Sequence, residues 1–169
     1  MDFALGVLVF VVSLAAAEAP RDGGHVRTMD PALRADIDEG MARSALFRGL
    51  VARLDGSDVI VYAETECPMS PRLFGRLAFM AEGGGRRYLN VRVSCMLTDA
   101  QRIAALGHEL RHAVEIADAG SVVDEASLRS YYERIGFPSH GVAKGSGYES
   151  RAAVDAARRV WEELGHTAE

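Results

Sequence analysis

In this 169-residue chain, the run His108-Glu109-Leu110-Arg111-His112 has residue types and spacing suited to chemistry. Histidines four apart on a helix project from one face, close enough for both imidazoles to hold one zinc ion. Glu109 is placed to take a proton from water bound to that ion and later pass it to a departing amine. A catalytic zinc keeps three protein ligands and an open position, so a third donor is needed. The bland alternative is a pair of histidines on a solvated helix face.

Those residues need a helix to carry them, and the flanking sequence supplies one. Thr98-Asp99 caps a helix expected over Ala100–Ala119, with Gly120 closing it. Ile103, Leu106, Leu110, Val114 and Ala117 make one apolar stripe, while His108, His112 and Glu115 occupy a different face. The stripe therefore points into a core and the histidines into a cleft.

Upstream, residues 20–29 read as a flexible lead-in. Asp30 and Pro31 then start a helix that carries Leu33, Ile37, Met41, Ala45, Leu46 and Leu50 as far as Asp55-Gly56. Val59–Ala63 reads as a short buried strand. A turn-rich stretch at 67–71 precedes a hairpin with arms Gly75–Glu82 and Arg86–Met96 around Gly83-Gly84-Gly85. In the second arm Tyr88, Asn90, Arg92 and Ser94 alternate with Leu89, Val91, Val93 and Cys95, one wet face and one dry. Downstream, Asp124–Ile135 predicts a third helix, Ser139–Gly147 a loop, and Tyr148 or Glu149 to Leu164 a fourth helix. The expectation is a single α+β domain over 18–169, a small antiparallel sheet packed against the HExxH helix and further helices.

Through Gly107–Ala113 the chain resembles the zincin metallopeptidases, and the order of elements over residues 57–165 follows them loosely. That resemblance implies an edge strand that binds substrate as an added β-strand, with Arg86–Met96 as that strand or its neighbour. The metzincin branch needs a Gly and a third His after the second His, and residues 113–118 (AVEIAD) lack both. The gluzincin branch takes its third ligand from a Glu on a later helix. Glu149, in Gly147–Ala153, looks like the Glu-x-x-Ala of that branch; otherwise it is a carboxylate favoured by a helix N-terminus. Glu115 is the rival ligand. Ligation at i, i+4 and i+7 would be strained, so Glu115 reads instead as a group orienting His112, or as a solvated glutamate. Glu125 and Glu133 are further possible ligands. His140, Tyr131, Tyr132 and Tyr148 are candidates to stabilise an oxyanion. Asp155 does not match the family's spacing for a carboxylate behind a ligand His, and His25 and His166 read as inert.

Apolar residues make up 49% and charged residues 25%, a globular composition, and the chain is long enough to bury a core. The net charge of −5 and the lack of any basic block exclude a nucleic-acid partner. Phe3–Ala17 is an uncharged run that suits a signal peptide and falls short of the ~20 residues of a bilayer span. Cleavage after Ala17 fits best, and after Ala19 next. The start, Met1-Asp2, lacks the usual cation, which keeps an uncleaved anchor or a buried helix as alternatives. The signal and anchor readings both place residues 18–169 outside the cytoplasm, periplasmic or secreted, with membrane contact only through residues 3–17. Cys67 and Cys95 suit that compartment as one disulfide between neighbouring strands, the alternative being two free thiols. The sequence thus predicts an exported zinc metallopeptidase acting on peptides or proteins. The competing readings are a zincin-like protein that binds metal or a partner without turnover, and a structural protein with an accidental motif.

Overall fold

The computed structural model describes residues 24–70, 72–139 and 147–167; the run 3–17, expected to be a signal peptide or anchor, and His140 lie outside these. Within the stretch expected to be a flexible lead-in, Val26–Thr28 instead forms a short strand, β1, with Val26 opposite Val61. Asp30 then accepts the N–H groups of Ala32 and Leu33 and starts α1 (Pro31–Arg43). The single helix expected over this stretch is two, because Ser44 takes an extended conformation and caps α2 (Ala45–Asp55) by accepting the N–H of Phe47. The buried Ser44 hydroxyl also donates to Glu163 at 2.6 Å, a partner far along the chain that offsets the lost helical bond.

β2 (Val59–Glu66), β3 (Gly75–Gly83) and β4 (Arg86–Ser94) complete a sheet of order β1-β2-β4-β3. The sheet is mixed, correcting the antiparallel expectation. Only the β3–β4 hairpin is antiparallel, turning at Gly84-Gly85, whose φ angles are both positive as such a tight turn requires. β1 and β2 run parallel because α1 and α2 carry the chain across between them. β4 inserts beside β2, also parallel, from Val59↔Arg87 to Glu66↔Ser94, which leaves β3 on the edge. The alternation holds along β4 as far as Val93, with Leu89, Val91 and Val93 fully buried, and fails at its end, where Ser94, expected on the wet face, is buried.

α3 (Asp99–Asp118) lies across the dry face of the sheet, started by a capping box of Thr98 and Gln101. α4 (Glu125–Ile135) follows. The ribbon of β5 (Phe137–Pro138) and β6 (Tyr148–Glu149) then leads to α5 (Arg151–Glu163), which packs along α3. The fourth helix thus begins later than expected. Ser150 caps it by accepting the N–H of Ala153, and Glu149 belongs to β6 instead of the helix. The Cys67–Cys95 disulfide joins the segments that leave β2 and β4, with Cα atoms 5.7 Å apart. Among the described residues no helix is long and apolar enough to cross a membrane.

Arg87, on the dry face of β4, holds the far end of α3. Its guanidinium donates to both oxygens of Asp58 at 2.7 Å, and also to the carbonyls of Ile116, Ala117, Ala119 and Val122 at 2.7 to 3.3 Å. Carbonyls at a helix C-terminus lack partners and carry partial negative charge, so a buried cation there satisfies both needs. Arg87→Met, similar in reach and without donors, is expected to cost about 3 kcal/mol, or roughly 10 °C in Tm. The hydrogen bonds from Arg87 hold the Asp58 carboxyl below its usual range. Its contribution is therefore present at neutral pH and lost as pH falls through that lowered value. Thermal unfolding at a series of pH values should show the deficit of Asp58→Asn closing in acid.

Candidate metal centre

α3 places His108 and His112 one turn apart, with ring centroids 4.9 Å apart and planes nearly perpendicular. The β5–β6 ribbon delivers the third group. Gly136 lies so close to this ribbon that a Cβ there would stand 2.6 Å from the Glu149 carbonyl oxygen. As a result Glu149 Oε1 sits 2.9 Å from Nε2 of His108 and 2.9 Å from Nε2 of His112. The donor atoms of all three residues lie within 4.8 Å of one another, an arrangement that could hold a metal ion. Two imidazoles and one carboxylate form a donor set used by zinc with a fourth position open, and one that also suits other first-row divalent ions.

Behind His112 is a buried polar layer. Its Nδ1 lies 3.1 Å from Glu115 Oε2 and 2.9 Å from the Tyr132 hydroxyl, and that hydroxyl donates to Glu115 at 3.0 Å. The Ser150 hydroxyl donates to the other Glu115 oxygen at 2.7 Å. Burial alone would raise the Glu115 carboxyl, but the hydrogen bonds from His112 and Ser150 outweigh it and hold the group below its ordinary range. An ionised Glu115 can only accept, so it takes the Nδ1 proton of His112 and leaves Nε2 facing Glu149.

The charges around the donors also fit a cation. Burial opposes ionisation of Glu149, yet the hydrogen bonds and charge of the two histidines bring its carboxyl down to about 2. Burial likewise opposes charge on His112, and its contacts with Glu115 and Glu149 overcome that and raise it to about 9. Positive charge is thus favoured between these carboxylates. Glu109, 4% exposed, has its carboxyl pushed up, chiefly by burial.

These groups meet at the junction of two cavities of about 510 and 410 Å³, which share Leu73, Gly75, His108, Glu109, Ser139 and Glu149 as walls. Leu77 and Phe79 of β3, with Leu128 and Tyr148, line the larger lobe; Phe74, Ala157 and Trp161 line the smaller.

The other residues singled out in the sequence fall elsewhere. Glu125 is exposed and lines the larger lobe away from the donor group, and Glu133 accepts from the Tyr148 hydroxyl at 3.1 Å. Asp155 pairs with Arg158 on the surface at 2.8 Å. Tyr131 donates to the backbone carbonyl of Glu115, and His166 stacks on Trp161. His25 contacts Arg86 at 3.3 Å, remote from the cleft. Sequence reasoning missed Ser150 as a partner of Glu115 and Tyr132 as a partner of His112. Serine directly before a helix was a readable cap signal, but its second bond crosses between elements.

No family model matches the chain, and neither the curated proteins nor the solved structures contain a match to it.

Zinc titration against a chromophoric chelator should give one tight site in the native chain. His112→Ala and Glu149→Ala are expected to abolish it, and Asp155→Asn to leave it intact. Glu115→Gln should weaken it by about 10- to 100-fold, the range for groups that orient a ligand histidine.

Proposed function

We propose that this chain is a zinc-dependent hydrolase, a small exported metallopeptidase acting on peptides or proteins. The observation that carries the reading is the convergence of His108, His112 and Glu149 at the mid-point of a cleft whose wall also holds Glu109. Those three residues would hold the zinc, which when bound acidifies a water molecule and polarises a carbonyl. Glu109 would be the group that accepts a proton from the attacking water and returns it to the departing nitrogen. Its raised carboxyl pKa brings it nearer to neutral pH, where one group can serve as base and then as acid. The Tyr132 hydroxyl is engaged with His112 and Glu115, so it serves to hold the ligand.

A peptide substrate is supported by β3. Among the described residues it pairs with β4 alone and lies at the sheet edge, so its outward backbone groups can take an extended segment as a further strand. The stretch Arg72–Phe79 lines both lobes in turn, which suits a chain passing through the cleft on either side of the cut bond. The Cys67–Cys95 disulfide is consistent with an oxidising compartment and so with export.

Glu109→Gln should retain one zinc per chain and lose hydrolysis of internal peptide bonds by about 10²- to 10⁴-fold. A zinc-loaded native chain that cleaves nothing in a broad peptide library, or a Glu109→Gln variant as active as the native protein, would overturn the reading.

A further inference from the structure

We propose that Gly75 is a positioning residue that sets where the Glu109 carboxylate sits. Gly75 opens β3 opposite Val93, and its backbone does not have the positive φ that would demand glycine. The demand comes from across the cleft. A Cβ on Gly75 would stand 2.6 Å from Glu109 Oε1, 3.0 Å from its Cγ and 3.2 Å from its Cδ. Carbon contacts are comfortable only near 3.5–4.0 Å, so even an alanine methyl would claim the space the carboxyl end occupies. Among the described residues that carboxylate has no hydrogen bond to fix its direction. What confines it is packing, and Gly75 is the wall it rests against.

The wall itself cannot retreat easily. The Phe74 carbonyl accepts the N–H of Ser94 at 2.9 Å, tying the start of β3 to β4. The preceding turn is closed by Leu73 N–H on the Ser70 carbonyl, and Ser70 follows the disulfide-bonded Cys67 by three residues. With this side anchored, an added methyl displaces the end of the Glu109 side chain and not the strand. The catalytic consequence rests on Glu109 acting as the base of a hydrolase. The packing does not, and the two are separable by experiment.

Thermal unfolding of the native chain, Gly75→Ala, Glu109→Ala and the double variant forms the primary test. Gly75→Ala is expected to lower Tm by roughly 2–6 °C in the native background. With Glu109→Ala it should be neutral or stabilising, since alanine is otherwise better tolerated than glycine in a strand. A Gly75→Ala chain that fails to fold while the double variant folds is the same result in stronger form. An equal loss of Tm in both backgrounds overturns the proposal. On the zinc-loaded protein, Gly75→Ala should keep one zinc per chain and lower kcat at least about tenfold with KM within about threefold. Glu109→Asp, one methylene shorter, should then lose less on Gly75→Ala than the native chain does. Unchanged kcat in Gly75→Ala also overturns the proposal. If the zinc-loaded native chain turns over no peptide, the hydrolase reading fails on its own, and the unfolding cycle still decides for or against Gly75.

Discussion

A helix buried along most of its length can satisfy its polar groups only through what surrounds it. His112 and Glu115 of α3 are each 6% exposed, and burying such groups without partners would cost several kcal/mol apiece. Much of the remaining architecture can be understood as the answer to that constraint. α4 supplies Tyr132, the cap of α5 supplies Ser150, and the short β5–β6 ribbon supplies Glu149. At the far end of α3, β4 supplies Arg87 to its open carbonyls. Each of these four elements brings one polar side chain to the same helix.

The polar network is asymmetric in a way that bears on chemistry. Glu115 is surrounded by donors from His112, Tyr132 and Ser150 and is thereby fixed and ionised. Glu109, one residue from His108, receives none among the described residues and keeps a raised pKa. Two glutamates on one helix are thus set apart by their surroundings, one as a rigid support and one as a group able to exchange a proton. Environments that separate the pKa values of neighbouring carboxylates are the usual means by which one site holds both a fixed charge and an acid–base group.

What the sequence made legible was local. The HExxH spacing, the Thr98 cap, the alternation along most of β4 and the α4 boundaries can all be read within a few turns of chain, whereas Glu149, 37 residues beyond His112, was suggested only by a family resemblance. What it concealed depends on distant partners. Ser44 interrupts a helix in favour of an extended conformation that also serves Glu163, 119 residues away. The mixed sheet arises because β4 inserts beside β2, a choice no local pattern encodes. Glu149 was expected on a helix because Tyr148-Glu149-Ser150 offers several workable starts, and ribbon pairing with Phe137–Pro138 decides among them. Arg87 shares the parity of Leu89, Val91 and Val93, so its burial was implicit in the alternation; the carbonyls that justify it lie at the end of another element.

The edge position of β3 also bears on how the protein behaves in the company of its own copies. An unpaired strand edge is a template for sheet growth as much as a seat for a ligand. In β3 the pairing with β4 shifts register between Phe79 and Ala81, a bulge with Met80 55% exposed. A bulge bends the strand and breaks the run of evenly spaced backbone groups. Regular edge is thereby confined to Gly75–Phe79, room for a short visiting segment but a poor start for a fibril. A single irregularity in one strand thus leaves an open edge too short and too bent to favour pairing with further copies.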